Sequence, residues 1–179
     1  MLAGGAGRRL GGDKCTVELA GRPLVLYPVA ALRGVCEQVV VVAKEDTKLP
    51  QLAGEAEIWI EPDQPQHPLA GVVHALQRAS AKKLLVLACD MPLVPADLLR
   101  ALLKAADGPG AVAACGDIAE PLCACYTKQA LKGLEQFAPE DRAIDVVERL
   151  GVKRVEWDNC DAVLSVNAPE DVIRAQALL

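Results

Sequence analysis

Aromatic side chains are nearly missing: two Trp, two Tyr and one Phe in 179 residues. Hydrophobic residues still make up 52% of the chain, so its core must be built from Ala, Val and Leu. Recognition of bases by aromatic stacking, the device of RRM and OB-fold modules, lacks the rings it needs. Positive charge is also short. The formal net charge of −5 repels a polyanion at long range, which excludes nucleic acid as a partner. Long apolar runs are absent too. The longest uncharged candidate, Pro23 to Leu32, contains two prolines and is far shorter than the ~20 residues that span a bilayer, so no membrane association is expected. Met1 to Gly7 lack the apolar run of a signal peptide, and a cytoplasmic location is expected. The seven cysteines form an odd set without paired C-x-x-C spacing. In a reducing compartment they would remain thiols, mostly as small core hydrophobes.

Short β-branched runs alternate with helical patterns, the mark of βαβ units around a mostly parallel sheet covered on both faces. The length fits one domain, 1–179. Strands are expected at Gln38–Ala43, Ile58–Ile60, Leu84–Cys89, Gly110–Cys115 and Pro121–Tyr126, with shorter ones near Val152–Val155 and Val163–Asn167. The unbroken apolarity of Val39–Val42 and Leu84–Ala88 suits strands buried on both sides. Leu69, Val72, Val73 and Leu76 follow the i, i+3, i+4, i+7 spacing of a buried helical stripe. Pro95, Asp97 and Gly108 bracket a helix over Leu98–Ala106, and Asn167 stands as an N-cap before Pro169, Glu170 and Asp171.

Three segments could carry chemistry. The first runs from Leu2 through Ala3, Gly4, Gly5, Ala6, Gly7, Arg8, Arg9, Leu10, Gly11, Gly12 and Asp13 to Lys14. Glycines let backbone N–H groups converge on an anion, and Arg8, Arg9 and Lys14 supply charge for phosphates. Lys14 lies between Asp13 and Cys15, which rules out a Walker A loop, and Leu10 stands where the dinucleotide fingerprint needs a third glycine. A bare glycine-rich stretch is as often a solvated turn, but charge tips the balance. Residues 1–33 hold Arg8, Arg9, Lys14, Arg22 and Arg33 against Asp13 and Glu18, a local +3 that leaves −8 for the rest. Such segregation suits a small anionic ligand.

The second segment, Cys89-Asp90-Met91-Pro92-Leu93, directly follows the most apolar strand. Ligands of parallel α/β sheets bind beyond the carboxyl ends of strands, so Asp90 is a candidate Mg²⁺ ligand, the alternative being a turn residue before Pro92. The third, His67-Pro68-Leu69-Ala70-Gly71, opens a helix whose free N–H groups could meet an anion or a polar ligand edge, although taken alone it reads better as a packing turn. His67 and His74 lack partners at metal spacing, and Cys123 and Cys125 share one side of a strand.

Together these segments resemble the MobA family, the molybdenum cofactor guanylyltransferases. The resemblance rests on the Leu2–Lys14 loop, Gly21-Arg22-Pro23-Leu24, Pro68-Leu69-Ala70-Gly71, Asp90-Met91-Pro92, Glu120-Pro121-Leu122-Cys123-Ala124 with Tyr126, and Asn167-Ala168-Pro169-Glu170-Asp171, and it covers essentially the whole chain. It implies a three-layer αβα, Rossmann-like nucleotidyltransferase fold. It also implies that Leu2, Ala3, Gly4 and Gly5 meet a guanine nucleotide by backbone, that Lys14 meets its phosphates, that Asp90 holds Mg²⁺, that Asp63 contacts the nucleotide, and that Asn167 lies near the acceptor. His67 replaces the glycine usual before Pro68, Lys44 stands where an Asn is expected, and Ser165 replaces one of two closing Asn residues.

The expected reaction is Mg²⁺-dependent transfer of GMP from GTP to the terminal phosphate of molybdopterin or Mo-molybdopterin, with release of pyrophosphate. Arg8, Arg9, Lys14 and Asp90 are its expected catalytic groups, and molybdoenzymes or other cofactor-biosynthesis proteins are its further candidate partners. The alternatives are a cytidylyltransferase, a transferase for another phosphorylated acceptor, or an accessory protein that binds GTP without turnover.

Overall fold

The computed structural model describes residues 1–3, 10, 12, 14–52 and 54–179. A 3₁₀ turn at Lys14–Thr16 leads into a small hairpin, β1 (Glu18–Leu19) and β2 (Arg22–Pro23). The chain continues through α1 (Leu26–Arg33), β3 (Val40–Ala43), β4 (Glu57–Ile60), α2 (Pro68–Arg78), β5 (Lys83–Leu87) and α3 (Ala96–Ala105). It then forms β6 (Gly110–Cys115), β7 (Ile118–Thr127), α4 (Leu131–Leu134), α5 (Ala143–Arg149), β8 (Lys153–Glu156) and α6 (Pro169–Leu178).

The sheet is parallel apart from β7. β3 pairs parallel with β4, and β6 parallel with β8, while β7 runs antiparallel to both β5 and β6. Residues 1–3 splice the two halves together. Leu2 bridges Val42 on one side and Ala88 on the other, both in parallel sense, with Leu2 N donating to Leu87 O and Ala3 N to Val42 O. The Met1 amino group continues the ladder by donating to Val40 O at 2.7 Å, and burial pulls its pKa down to about 5. Below Met1 the gap between β3 and β5 opens into a cavity of about 580 Å³.

Strand alternation explains the three layers, because successive side chains face opposite sides of a pleated strand. Leu85, Leu87, Ala111, Ala113, Cys123 and Cys125 pack with Val29 and Leu32 of α1 and Leu98, Leu99 and Leu102 of α3. Val86, Val112, Ala124 and Tyr126 turn the other way, onto Leu69, Val72 and Leu76 of α2, Leu134 of α4, and Val146 and Val147 of α5. Sheet residues buried on both faces give the continuous apolar runs noted in the sequence. Among the described residues no helix is long and apolar enough to cross a membrane.

Three expectations need correction. Val163–Asn167 is not a strand; a 3₁₀ turn at Cys160–Val163, capped by the Asn159 side chain on Asp161 N, leads into an extended loop. Asn167 is not the cap of α6: the Asp171 carboxylate takes the backbone N–H groups of Asn167 and Ala168, each at 2.9 Å, which places Ala168 at the cap and frees the Asn167 side chain for another role. Nor do all the cysteines remain thiols. Cys115, at the end of β6, is disulfide-bonded to exposed Cys160 across 45 positions of sequence.

Candidate functional site

The loop following β5 and the loop preceding α6 meet at one edge of the sheet. Asp90 follows the end of β5 by three residues, and its backbone carbonyl accepts from Val166 N at 2.8 Å, which delivers the next residue, Asn167, to the same place. Lys14 reaches in from the 3₁₀ turn. Its ammonium donates to Asp90 Oδ2 at 2.5 Å and to Asn167 Oδ1 at 2.7 Å, with Lys14 only 8% exposed. Three expected site residues, separated by 76 and 153 positions, thus share one ammonium group.

Asp90 Oδ1 is buried and has no hydrogen-bond partner among the described residues. A buried carboxylate oxygen left unpaired is costly unless something else approaches it. A hard divalent cation is the natural complement, since Mg²⁺ takes one or two carboxylates and completes its shell with phosphate oxygens and water. The donor set fits that group. Among the described residues no three His, Cys, Asp or Glu side chains converge as a closed cage. Glu120, on β7, is a further carboxyl near Asp90, raised above its ordinary range first by burial and then by the Asp90 charge.

A cavity of about 520 Å³ opens beside this ion pair. Leu2, Ala3, Gly12, Lys14, Cys15, Cys89 and Asp90 line it from the sheet edge and the first turn; Lys44, Thr47 and Lys48 line it beyond β3; Glu61, His67, Pro68 and Gly71 close it from the start of α2. Its volume falls in the usual range for small-ligand sites. On its floor the Cys89 thiol hydrogen-bonds to Cys15, which lowers the Cys15 pKa and raises that of Cys89.

Several sequence-based assignments change here. Leu2 and Ala3 do line the cavity, but their N–H groups are engaged by Leu87 and Val42, Leu2 O accepts from Cys89 N at 2.9 Å and Ala3 O from the Cys15 thiol at 3.7 Å, so their backbone is committed to the sheet edge. Asp63 does not line it. Asp63 is exposed, and it is its backbone carbonyl that meets Lys44 Nζ, at 2.9 Å. The acid that does line the cavity is Glu61, 8% exposed, with Oε2 unpartnered among the described residues and its pKa raised by burial. Glu61 also explains a glycine: a Cβ on Gly71 would lie 2.8 Å from Glu61 Oε2 and 3.1 Å from Leu2 Cδ2.

Of the N-terminal cations, Arg22 donates to Leu26 O and lies over the Tyr27 ring, and Arg33 donates to Glu55 O, both away from the cavity. Lys44 and Lys48 join Lys14 instead. Gly4, Gly5, Arg8 and Arg9 lie outside the described residues.

The model of the MobA-like NTP transferase domain family matches residues 1–155. A molybdenum cofactor guanylyltransferase of Cereibacter sphaeroides is 36% identical over 185 residues, covering 100% of this chain and 95% of that protein. One of Pseudomonas putida is 34% identical, over 95% of this chain and 92% of the relative. Among solved structures, molybdopterin-guanine dinucleotide biosynthesis protein A of Archaeoglobus fulgidus superposes with a TM-score of 0.78 at 25% identity, covering 99% of this chain and 95% of that one. A 2-C-methyl-D-erythritol 4-phosphate cytidylyltransferase of Thermus thermophilus shares the fold at a TM-score of 0.70 and 20% identity, over 93% and 94% of the two chains. With Lys14, Asp90 and Asn167 gathered at the mouth of the cavity and the family match spanning most of the sequence, the chain belongs to the MobA-like nucleotidyltransferases.

Proposed function

We propose that this protein transfers GMP from GTP to the terminal phosphate of molybdopterin, or of its molybdenum-loaded form. The observation that carries the proposal is the Lys14 ammonium held between Asp90 and Asn167 beside the cavity, with Asp90 Oδ1 left without a partner among the described residues. The full-length similarity to molybdenum cofactor guanylyltransferases supports the choice of nucleotide and acceptor.

In the reaction an acceptor phosphate oxygen attacks the α-phosphorus of GTP. A new P–O–P bond forms as the α–β bridge breaks, and pyrophosphate leaves. A phosphate monoester has its second pKa at about 6, so the attacking oxygen already carries charge near neutral pH and no general base is needed. The protein's task is placement and charge neutralisation. Lys14 faces the triphosphate, the role also assigned to Arg8 and Arg9. Asp90 would hold Mg²⁺, which supplies neutralisation of the α-phosphate. Asn167, fixed by its contact with Lys14, borders the acceptor side.

Base selection falls to acceptor groups. Guanine presents two adjacent donors, N1–H and the 2-amino group, whereas cytosine and adenine present one amino donor beside a ring acceptor. The Glu61 carboxylate, with Oε2 unpartnered among the described residues, complements guanine, so Glu61 takes the contact expected of Asp63. The fold alone does not choose, since a cytidylyltransferase shares it. Pyrophosphate release from GTP, CTP, ATP and UTP, each with and without molybdopterin, tests the reading. Release from GTP with molybdopterin supports it. Release from CTP, or with another phosphorylated acceptor alone, replaces base or acceptor, and GTP binding without any release favours an accessory role.

A further inference from the structure

His67 sits at the junction between the cavity and the opposite side of the α2 layer. It is 9% exposed and lines the cavity. It occupies the N-cap of α2 in extended conformation, where its Nδ1 accepts from Leu69 N at 3.1 Å and so satisfies one of the helix's free donors. On the other side of the ring, Nε2 lies 2.9 Å from the backbone oxygen of Asp141. A carbonyl oxygen can only accept, so Nε2 carries the proton, and Nδ1 must be bare to receive the Leu69 N–H. Both bonds therefore demand the same neutral tautomer. The ring face stacks on Phe137, with centroids 4.1 Å apart and planes 16° from parallel.

The far anchor is itself a built turn. The Asp141 carboxylate accepts from Ala138 N at 3.0 Å and from Arg149 at 2.9 Å, which together hold its pKa below the ordinary range. His67 thus ties the first turn of α2 to a fixed segment 74 positions later in the sequence. That first turn carries Gly71, whose Cα side abuts Glu61 and Leu2 on the cavity wall. A shift of a few tenths of an ångström at the cap would be felt there, because a close-packed wall transmits displacement.

We infer that His67 is a positioning residue for nucleotide binding, latching the α2 N-terminus to the Phe137–Asp141 turn so that Gly71 and Glu61 face the base at a fixed spacing. This rests on reading the cavity as the nucleotide site. The latch acts on binding far more than on the chemical step, which takes place at Lys14 and Asp90.

The test compares wild type with His67→Ala, His67→Asn and Phe137→Leu. It reads the Kd for GTP with Mg²⁺, the KM and kcat for pyrophosphate release, and the melting temperature. His67→Ala loses the cap, the Asp141 bond and the stack, and weakens GTP by about tenfold in Kd and KM, with kcat falling less than threefold. His67→Asn restores an acceptor for Leu69 N and recovers part of that loss. Phe137→Leu, outside the cavity lining and mild in volume, weakens GTP in the same direction by about threefold. A drop in melting temperature with Kd and KM within twofold of wild type overturns the inference, as does a fall confined to kcat. The same titrations with CTP separate the two readings. If wild type takes CTP in place of GTP and His67→Ala weakens CTP, the guanine assignment fails and the latch stands; if wild type binds no nucleoside triphosphate, both fall.

Discussion

Replacing Lys14 with alanine perturbs the centre of the site and separates its structural from its catalytic role. In the wild type the ammonium lies 2.5 Å from Asp90 Oδ2, with side chains 9% and 16% exposed. At that distance the attraction is worth at most about 7 kcal/mol with an effective dielectric near 20. Lys14→Ala leaves both Asp90 oxygens without a partner among the described residues and Asn167 Oδ1 without its donor. Breaking a buried pair by removing one partner costs about 3–5 kcal/mol, and water entering from the cavity brings the figure to the lower end, about 3 kcal/mol. For a chain of this length that lowers the melting temperature by roughly 6–12 °C. Turnover should fall further, by roughly 10²–10³ at saturating GTP, because a preorganised cation facing developing phosphate charge is removed. Mg²⁺ should raise the melting temperature of the variant more than that of wild type, since Asp90 no longer shares its charge with an ammonium. The assay is pyrophosphate release at fixed Mg²⁺, paired with thermal melts with and without the ion. A variant that loses stability but keeps kcat within threefold of wild type would refute the catalytic role and leave Lys14 a structural cation.

Other consequences follow from the same geometry. Burial raises the Glu61 pKa, so the group is held protonated to higher pH than an exposed carboxyl; its protonated form favours the free fold at low pH, and that contribution is lost as pH rises through the raised value. Guanine binding needs the ionised form, so GTP affinity measured by calorimetry should increase over that same rise and then level off. Glu61→Gln should weaken GTP by roughly 10–100-fold, as expected for lost hydrogen bonds to a charged group, and flatten this pH dependence; equal affinity at all pH values would remove Glu61 from base recognition. Reduction of Cys115–Cys160, which closes 45 positions of sequence, should lower stability by about 4 kcal/mol on the chain-entropy model, on the order of 10 °C in melting temperature; a scan with and without dithiothreitol measures it. Cys123 is fully buried, its thiol pushed up to about 12 by burial, so Cys123→Ser should leave kcat and KM of the folded fraction nearly unchanged, and a tenfold loss of kcat would show a chemical role for the thiol.

How far the sequence carried depends on where each constraint lies along the chain. β6 was bounded correctly as Gly110–Cys115, because a strand buried on both faces shows as an uninterrupted apolar run closed by Gly108 and Gly116. Val163–Asn167 misled for the same reason in reverse: its apolar residues are buried in the small cluster of Leu19, Leu24 and Val166 and beside the main core, without pairing in the sheet. Asp90 and Lys14 were legible from their motifs, but their bond across 76 positions was not. Spacing to Pro68 cannot say which acid faces inward after β4; Glu61, which lines the cavity, directly follows the strand, and its N–H extends the ladder by donating to Ala43 O at 2.9 Å. His67 read as a packing turn because its second partner, Asp141, lies 74 residues away, and the Cys115–Cys160 pair escaped a reading based on close cysteine spacing.

The proposed joining of a guanine nucleotide to a pterin phosphate at the Lys14, Asp90 and Asn167 site is open to direct measurement. Incubation with GTP, Mg²⁺ and molybdopterin, followed by mass detection of the product, addresses it directly. The expected product is molybdopterin guanine dinucleotide, formed in equal amount to pyrophosphate, dependent on Mg²⁺ and lost in Lys14→Ala. Intact GTP and unmodified molybdopterin after prolonged incubation, with the nucleotide nonetheless bound, would contradict it.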